Sequence, residues 1–176
     1  MEGRGMRWGS QFDFHYLEGV GDWGGGFGPR FHYNFNDHFA LDSELTYRQH
    51  NVPAFSGTIP TWLVIGQTTG LFGVRGGQRV QDFGLFVQAR AGFLHFGSNQ
   101  GVSLLTPNTV AACNVGGVIE RYSGPVILRL DMGEMIVAYG NAQVSPGPPV
   151  LPPQAPPGRL GTRASLMVGF GFAVRF

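Results

Sequence analysis

The residues able to do chemistry recur at even spacings inside otherwise apolar stretches: Asp13 and His15, Arg30 and His32, Asp42, Glu44 and Arg48, Arg75 and Arg79. The series continues with Gln88 and Arg90, Asn114 and Glu120, Arg129 and Asp131, and finally Arg175. Even spacing puts side chains on one face of a β-strand. Guanidinium and carboxylate groups gathered on one face predict ion pairing rather than turnover. His15 and His32 invite metal ligation, but a histidine beside carboxylates in a packed interior is more often a hydrogen-bonded core residue. His95 and Ser98 are the nearest thing to a base and nucleophile. Their spacing of three puts them on opposite faces of a strand, and no acidic partner follows them. Phosphate loops, zinc-ligand spacings and nucleophile elbows are absent from the sequence. The expectation is therefore no catalytic residue, no metal and no cofactor.

The opposite parity of each stretch is large and apolar. In Trp8 to Leu17, Phe12, Phe14 and Tyr16 alternate with Gln11, Asp13 and His15. Gly25 to Phe35 sets Phe27, Phe31, Tyr33 and Phe35 against Gly28, Arg30, His32 and Asn34, and Phe39 to Arg48 repeats the pattern. Gly70 to Val80, Leu85 to Phe96, Thr109 to Tyr122 and Val126 to Tyr139 complete the run. In the last of these Glu134 falls on the apolar parity, and a bulge at Gly133 would correct the phase. The chain closes on Ala164 to Phe176, where Leu166, Val168, Phe170, Phe172, Val174 and Phe176 oppose Met167, Gly169, Gly171, Ala173 and Arg175. A small, glycine-rich, charged face behind a bulky greasy one suits a crowded polar interior inside an apolar exterior. These stretches predict an all-β, eight-stranded antiparallel up-and-down transmembrane barrel.

Composition agrees. Charged residues are 13% of the 176-residue chain, against roughly 25% in soluble domains, and mean hydropathy is +0.00. Such values follow when lipid-facing and lumen-facing residues average out. The net charge of +1 carries no basic stripe that would bind nucleic acid. All 12 basic residues are arginine, the better former of buried bidentate pairs. The lone Cys113 excludes an internal disulfide and a cysteine metal cluster. No apolar run reaches the roughly 18 residues of a transmembrane helix. The opening MEGRGMRWGS has no apolar core of a secretory signal, so the expectation is a removed signal or a truncated start.

The connections alternate long and short, as they do when one rim of a barrel carries tight turns and the other carries extended loops. Residues 49–69, with Pro53, Gly57 and Pro60, read as a long connection in which Trp62-Leu63-Val64-Ile65 either extends the next strand or folds within the loop. Residues 140–163, with SPGPPVLPPQAPPG, read as a mobile polyproline-II loop on the extracellular rim, and residues 1–7 as a flexible N-terminal segment of the single domain. Trp8, Phe35, Phe39, Phe83, Tyr122 and Phe176 are expected to form an interfacial girdle at the short-turn rim.

Gly70 to Phe96, Cys113 to Tyr139 and the terminal strand resemble the small outer-membrane β-barrel domains of the OmpA/OmpX-like class. The resemblance implies residence in the bacterial outer membrane, contact with its lipids and lipopolysaccharide, and a monomer. It also implies that Phe170, Phe172, Val174 and Phe176 belong to the signal read by the barrel-assembly machinery. Activity is implied only weakly, because this fold hosts anchors, adhesins, small pores and lipid-modifying enzymes. Lipid A deacylases of this class carry His and Ser two apart, unlike His95 and Ser98 here. A structural or surface-interaction role with a plugged polar interior is expected, with a small passive pore or a lipid A-modifying enzyme as the alternatives.

Overall fold

Eight antiparallel strands close on themselves in the computed structural model, which describes residues 5–17, 22–56, 59–97, 105–106, 108–140, 143–144 and 161–175. The wall consists of β1 (Gly5–Leu17), β2 (Asp22–Asn34), β3 (Phe39–Ser56), β4 (Ile59–Val80), β5 (Phe83–Phe96), β7 (Thr109–Ser123), β8 (Val126–Gly140) and β10 (Gly161–Arg175). Two short segments, β6 (Leu105–Thr106) and β9 (Gln143–Val144), pair separately. Neighbours in the wall follow chain order, and β1 closes the ring against β10. Closure removes the unpaired strand edges that a membrane would penalise.

Alternation does most of the work. On β5 the outward Leu85 and Val87 are 63% and 70% exposed while Phe86, Gln88 and Arg90 on the alternate positions are buried. Phe12, Phe27, Phe39, Phe72, Phe170 and Phe172 also face outward. A soluble barrel would not expose so continuous an apolar surface. Inside, several glycines are required by close approach of the neighbouring strand. A Cβ on Gly28 would lie 1.9 Å from the Leu45 carbonyl oxygen, and one on Gly92 would lie 1.8 Å from that of Gly70. Pro29, next to Gly28, faces outward and has no N–H to give. The β2–β3 pairing passes from Phe27↔Tyr47 to Arg30↔Glu44 across it.

The structure corrects several expectations. Residues 49–69 are not an irregular connection. β3 continues to Ser56 and β4 begins at Ile59, so Trp62–Ile65 lies within the strand. Beyond Gln49 on β3 and Gln67 on β4 these two strands pair only with each other, so the hairpin rises past the wall. There is no bulge at Gly133: Glu134 sits opposite Val115 and Leu166 in unbroken register and is exposed on the outer face. Gly5 to Arg7 belong to β1 rather than to a flexible segment, held by the ladder to β2, and Arg7 also pairs with Arg175 of β10. Within 140–163, Gln143–Val144 form β9, paired with β6, and Gly161 already opens β10; residues 145–160, which hold the polyproline stretch, lie outside the described residues.

Tyr122 does not join the outer girdle. It shares the inward parity of Glu120 and is 7% exposed. Phe35, Phe39 and Phe83 do face outward at this rim, while Phe176 and the side chain of Trp8 lie outside the described residues.

Candidate functional site: the barrel interior

Six strands bring the predicted polar residues together. β2 supplies Arg30 and His32, β3 Asp42 and Glu44, β4 Arg75, β5 Gln88 and Arg90, β7 Asn114 and Glu120, and β8 Arg129 and Asp131, all buried. Each lies on the inward parity of a strand whose other face meets lipid, so the placement follows from the pleat.

Arg129 and Asp131, two apart on β8, form a bidentate pair with Nε donating to Oδ2 at 2.7 Å and Nη2 to Oδ1 at 2.6 Å. Arg30 reaches Asp131 Oδ2 from the other side at 3.1 Å and donates from Nε to Asp42 Oδ1 at 2.8 Å. Asp42 Oδ2 also accepts from Arg30 and, at 3.2 Å, from Arg129. Gln88 Oε1 accepts from both arginines, at 3.1 and 2.9 Å. A second knot joins Arg90 Nη1 to Glu44 Oε2 at 2.5 Å, with Asn114 Oδ1 accepting from Arg90 Nη2 at 2.8 Å. A third centres on Glu120, which accepts from Arg75, from Arg129 at 3.2 Å and from the Tyr122 hydroxyl at 2.6 Å. Gln88 Nε2, 3.3 Å from Asn114 Oδ1, ties the first knot to the second, and Arg129 ties it to the third.

His32 Nδ1 lies 3.2 Å from Asp42 Oδ1 without the alignment of a hydrogen bond. It therefore belongs to the network's edge. The side chains of Asp13, His15 and Arg175 lie outside the described residues. Their backbones hold inward register, with His15 opposite Gly24 and Met167, and Arg175 opposite Arg7. Arg48 is buried above the network and donates to Thr69 Oγ1 at 2.6 Å. Arg79 sits half-exposed at the short-turn rim, its guanidinium carbon 3.9 Å from the centroid of the Tyr122 ring.

Asn34 and Thr46 are buried, as their inward parity predicts. Other interior residues carried no expectation: Arg7, assigned to a flexible segment, is buried, as are Gln67 and Thr69. Extending the alternation of β4 toward its start would have found the last two. The interior is also not polar throughout. Leu71, Leu94, Phe96, Val110, Ala112, Met135, Val137 and Met167 form an apolar cluster toward the rim of the longer loops. The charged network thus has an apolar layer on one side.

His95 Nδ1 is 2.7 Å from Thr109 Oγ1, a hydroxyl partner rather than a carboxylate. Ser98 lies outside the described residues.

A closed eight-stranded up-and-down barrel, apolar outside and ion-paired inside, has the architecture of the bacterial outer-membrane β-barrel proteins. In its fold and its apolar outer face the chain is like that class. Solved structures share the fold. The N-terminal β-barrel domain of Pseudomonas aeruginosa OprF aligns at TM-score 0.57 and 11% identity, covering 99% of this chain and 100% of that one. Neisserial surface protein A aligns at TM-score 0.58 and 11% identity, covering 99% and 98%. Ail, the attachment invasion locus protein of Yersinia pestis, solved with the heparin analogue sucrose octasulfate, aligns at TM-score 0.50 and 14% identity over 100% of both chains. No family model and no curated protein matches the sequence.

Proposed function

We propose that the chain serves as a closed outer-membrane anchor whose interaction surface is the rim of long connections, and that it performs no catalysis. The observation that carries this reading is the interior network, in which Arg30, Arg90 and Arg129 join carboxylates of β3 and β8 across the lumen. An eight-stranded barrel is just wide enough for side chains to fill, and these side chains fill it with mutual bonds. Any solute entering would have to replace buried charge pairs whose disruption costs about 3–5 kcal/mol each.

With the wall facing lipid and the interior self-paired, the remaining surface for recognition is the β3–β4 hairpin, the β6–β9 pair and the segments around them. Loops on a rigid scaffold are where binding commonly resides. The Ail structure with sucrose octasulfate is an instance of a barrel with this fold crystallised with a sulfated ligand. The natural surroundings in this reading are outer-membrane lipids and lipopolysaccharide, reached as a monomer through the barrel-assembly machinery.

Replacing residues 145–158 with a short Gly/Ser linker, while keeping Gln143 and Val144, tests the division of labour. Heat-modifiable gel mobility should stay that of the folded barrel, and adhesion of intact cells or envelope integrity should change. Unchanged surface phenotypes would leave only the anchoring role. Altered lipid A that depends on His95 or Ser98 would overturn the non-enzymatic reading.

A further inference from the structure

The short-turn mouth of the barrel holds more guanidinium groups than its one buried carboxylate, Glu120, can satisfy. Arg7 is buried, with its side chain 9% exposed, and its Nη1 has no hydrogen-bond acceptor among the described residues. The nearest carboxylate oxygen, Glu120 Oε2, is 3.5 Å away and already accepts the Tyr122 hydroxyl. The other oxygen of Glu120 accepts from Arg75 and Arg129. Arg75 Nε is likewise buried without an acceptor. Arg79 completes the group: it stacks on the Tyr122 ring, and its one hydrogen bond is a long one, Nε to the Gln81 carbonyl at 3.4 Å. Arg7, Arg75 and Arg129 thus share one buried carboxylate, Glu120, Arg79 lies beside them on the Tyr122 ring, and the ladder puts Arg175 directly opposite Arg7.

Arg7, Arg79 and Tyr122 line a pocket opening between the β2–β3 and β4–β5 turns. Asp37 also lines it, from the exposed β2–β3 turn, and Asp82 stands exposed on the β4–β5 turn; neither makes an ion pair among the described residues. A buried N–H donor without an acceptor costs roughly 1–3 kcal/mol, more when charged, so the mouth is built to gain from an incoming acceptor. Paired planar guanidiniums fit the tetrahedral oxygens of phosphate, which accept two parallel N–H bonds from one fork.

We infer that this mouth is a phosphate-binding site, held by the Arg7 and Arg79 guanidiniums beside the Tyr122 ring. The phosphate comes either free from the periplasmic solution or as a phospholipid headgroup. Arg121, on the outer face of the same rim with its guanidinium 5.8 Å from the Phe83 ring centroid, marks the depth at which headgroups lie.

The test uses the full chain folded in a maltoside detergent, which contains no phosphorus. Inorganic phosphate is titrated calorimetrically against sodium chloride of equal ionic strength. Phosphatidylglycerol in mixed micelles is compared with a phosphate-free glucosyl diacylglycerol. Saturable binding of inorganic phosphate assigns a solution oxyanion, and binding of phosphatidylglycerol alone assigns the headgroup; either upholds the site. Arg79→Gln, at a half-exposed position outside the main network, should weaken binding at least tenfold, and Arg79→Lys should recover part of it. Arg7→Gln should do the same where it folds, and Arg79→Gln decides where it does not. Absence of binding by both probes, equal response to chloride, or unchanged affinity in Arg79→Gln would overturn the site.

Discussion

Arg90 on β5 donates to Glu44 on β3 at 2.5 Å, although β4 lies between the two strands. The contact reaches over Gly73, the β4 residue paired with Arg90. Gly73 offers no side chain there, and a Cβ would sit 2.1 Å from the Ala89 carbonyl oxygen. Sequence, backbone spacing and ion pair are therefore one feature: the glycine brings the strands close enough for a charge pair to cross them.

Removing one member of that pair should be costly. Arg90→Ala leaves Glu44 buried beside Arg30 and removes the shorter of the bonds to Asn114 Oδ1, and is expected to lower stability by about 3–5 kcal/mol. Urea unfolding of the detergent- or vesicle-folded barrel measures it. The double change Arg90→Leu with Glu44→Leu should cost less than Arg90→Ala alone, because no orphaned charge remains. Equal costs for single and double changes would mean the pair contributes nothing specific.

The inward glycines give a second prediction. Gly92→Val places branched carbons against the Gly70 carbonyl, where even a Cβ would lie 1.8 Å from oxygen. The expected outcome is failure to reach the compact, heat-modifiable form. Gly124, on the open β7–β8 turn with φ of +58° and nothing within 4 Å of a Cβ, should accept Asn with little loss. Failure at Gly124 with tolerance at Gly92 would reverse the argument from close approach.

Glu134 provides the third. It stays on the lipid face because the register around it is unbroken, so a carboxylate is held among Val115, Met132 and Leu166. Glu134→Leu should stabilise the barrel by about 1 kcal/mol, less than the roughly 2–4 kcal/mol expected of a lipid-facing arginine at mid-bilayer. A loss of stability would show that Glu134 has a partner on the outer face.

Much of this fold was legible in the sequence wherever lipid touches one face of a strand. Lipid penalises polar groups that face outward, so parity is sharp in β5, β7 and β10. Above the wall that constraint lapses, and among the described residues 50–56 pair only with 59–65. Their His-Asn-Val-Pro sequence shows no alternation, so it reads as a loop. Glu134 misled for the opposite reason: parity treats an outward carboxylate as an error to be corrected, whereas the ladder simply carries it. Tyr122 was assigned by residue type, as an interfacial aromatic, against its own parity with Glu120. Which arginine meets which carboxylate is set by shear and strand order around the ring, and no local pattern encodes that. The apolar layer of Leu94, Phe96, Val110 and Val137 has the same inward parity as the charges, so alternation alone could not separate the two halves of the interior.

The terminal strand supplies a fourth expectation. Phe170, Phe172 and Val174 all face outward, the arrangement the barrel-assembly machinery is expected to read. Deleting Phe176 should leave unfolded material in the periplasm, followed by fractionation and heat-modifiable mobility. Normal insertion of the shortened chain would show that the terminal aromatic is not read.

Conductance of the purified, folded chain in a planar lipid bilayer bears most directly on the central claim, that interlocked charges close the barrel. With Arg30, Arg90 and Arg129 bonded to Asp42, Glu44 and Asp131, the wild-type protein should give no large, steady current across the usual range of voltages. Arg90→Ala should lower stability without producing a stable open channel. A steady, porin-sized current from the wild type would contradict the closed interior and make the protein a passive pore.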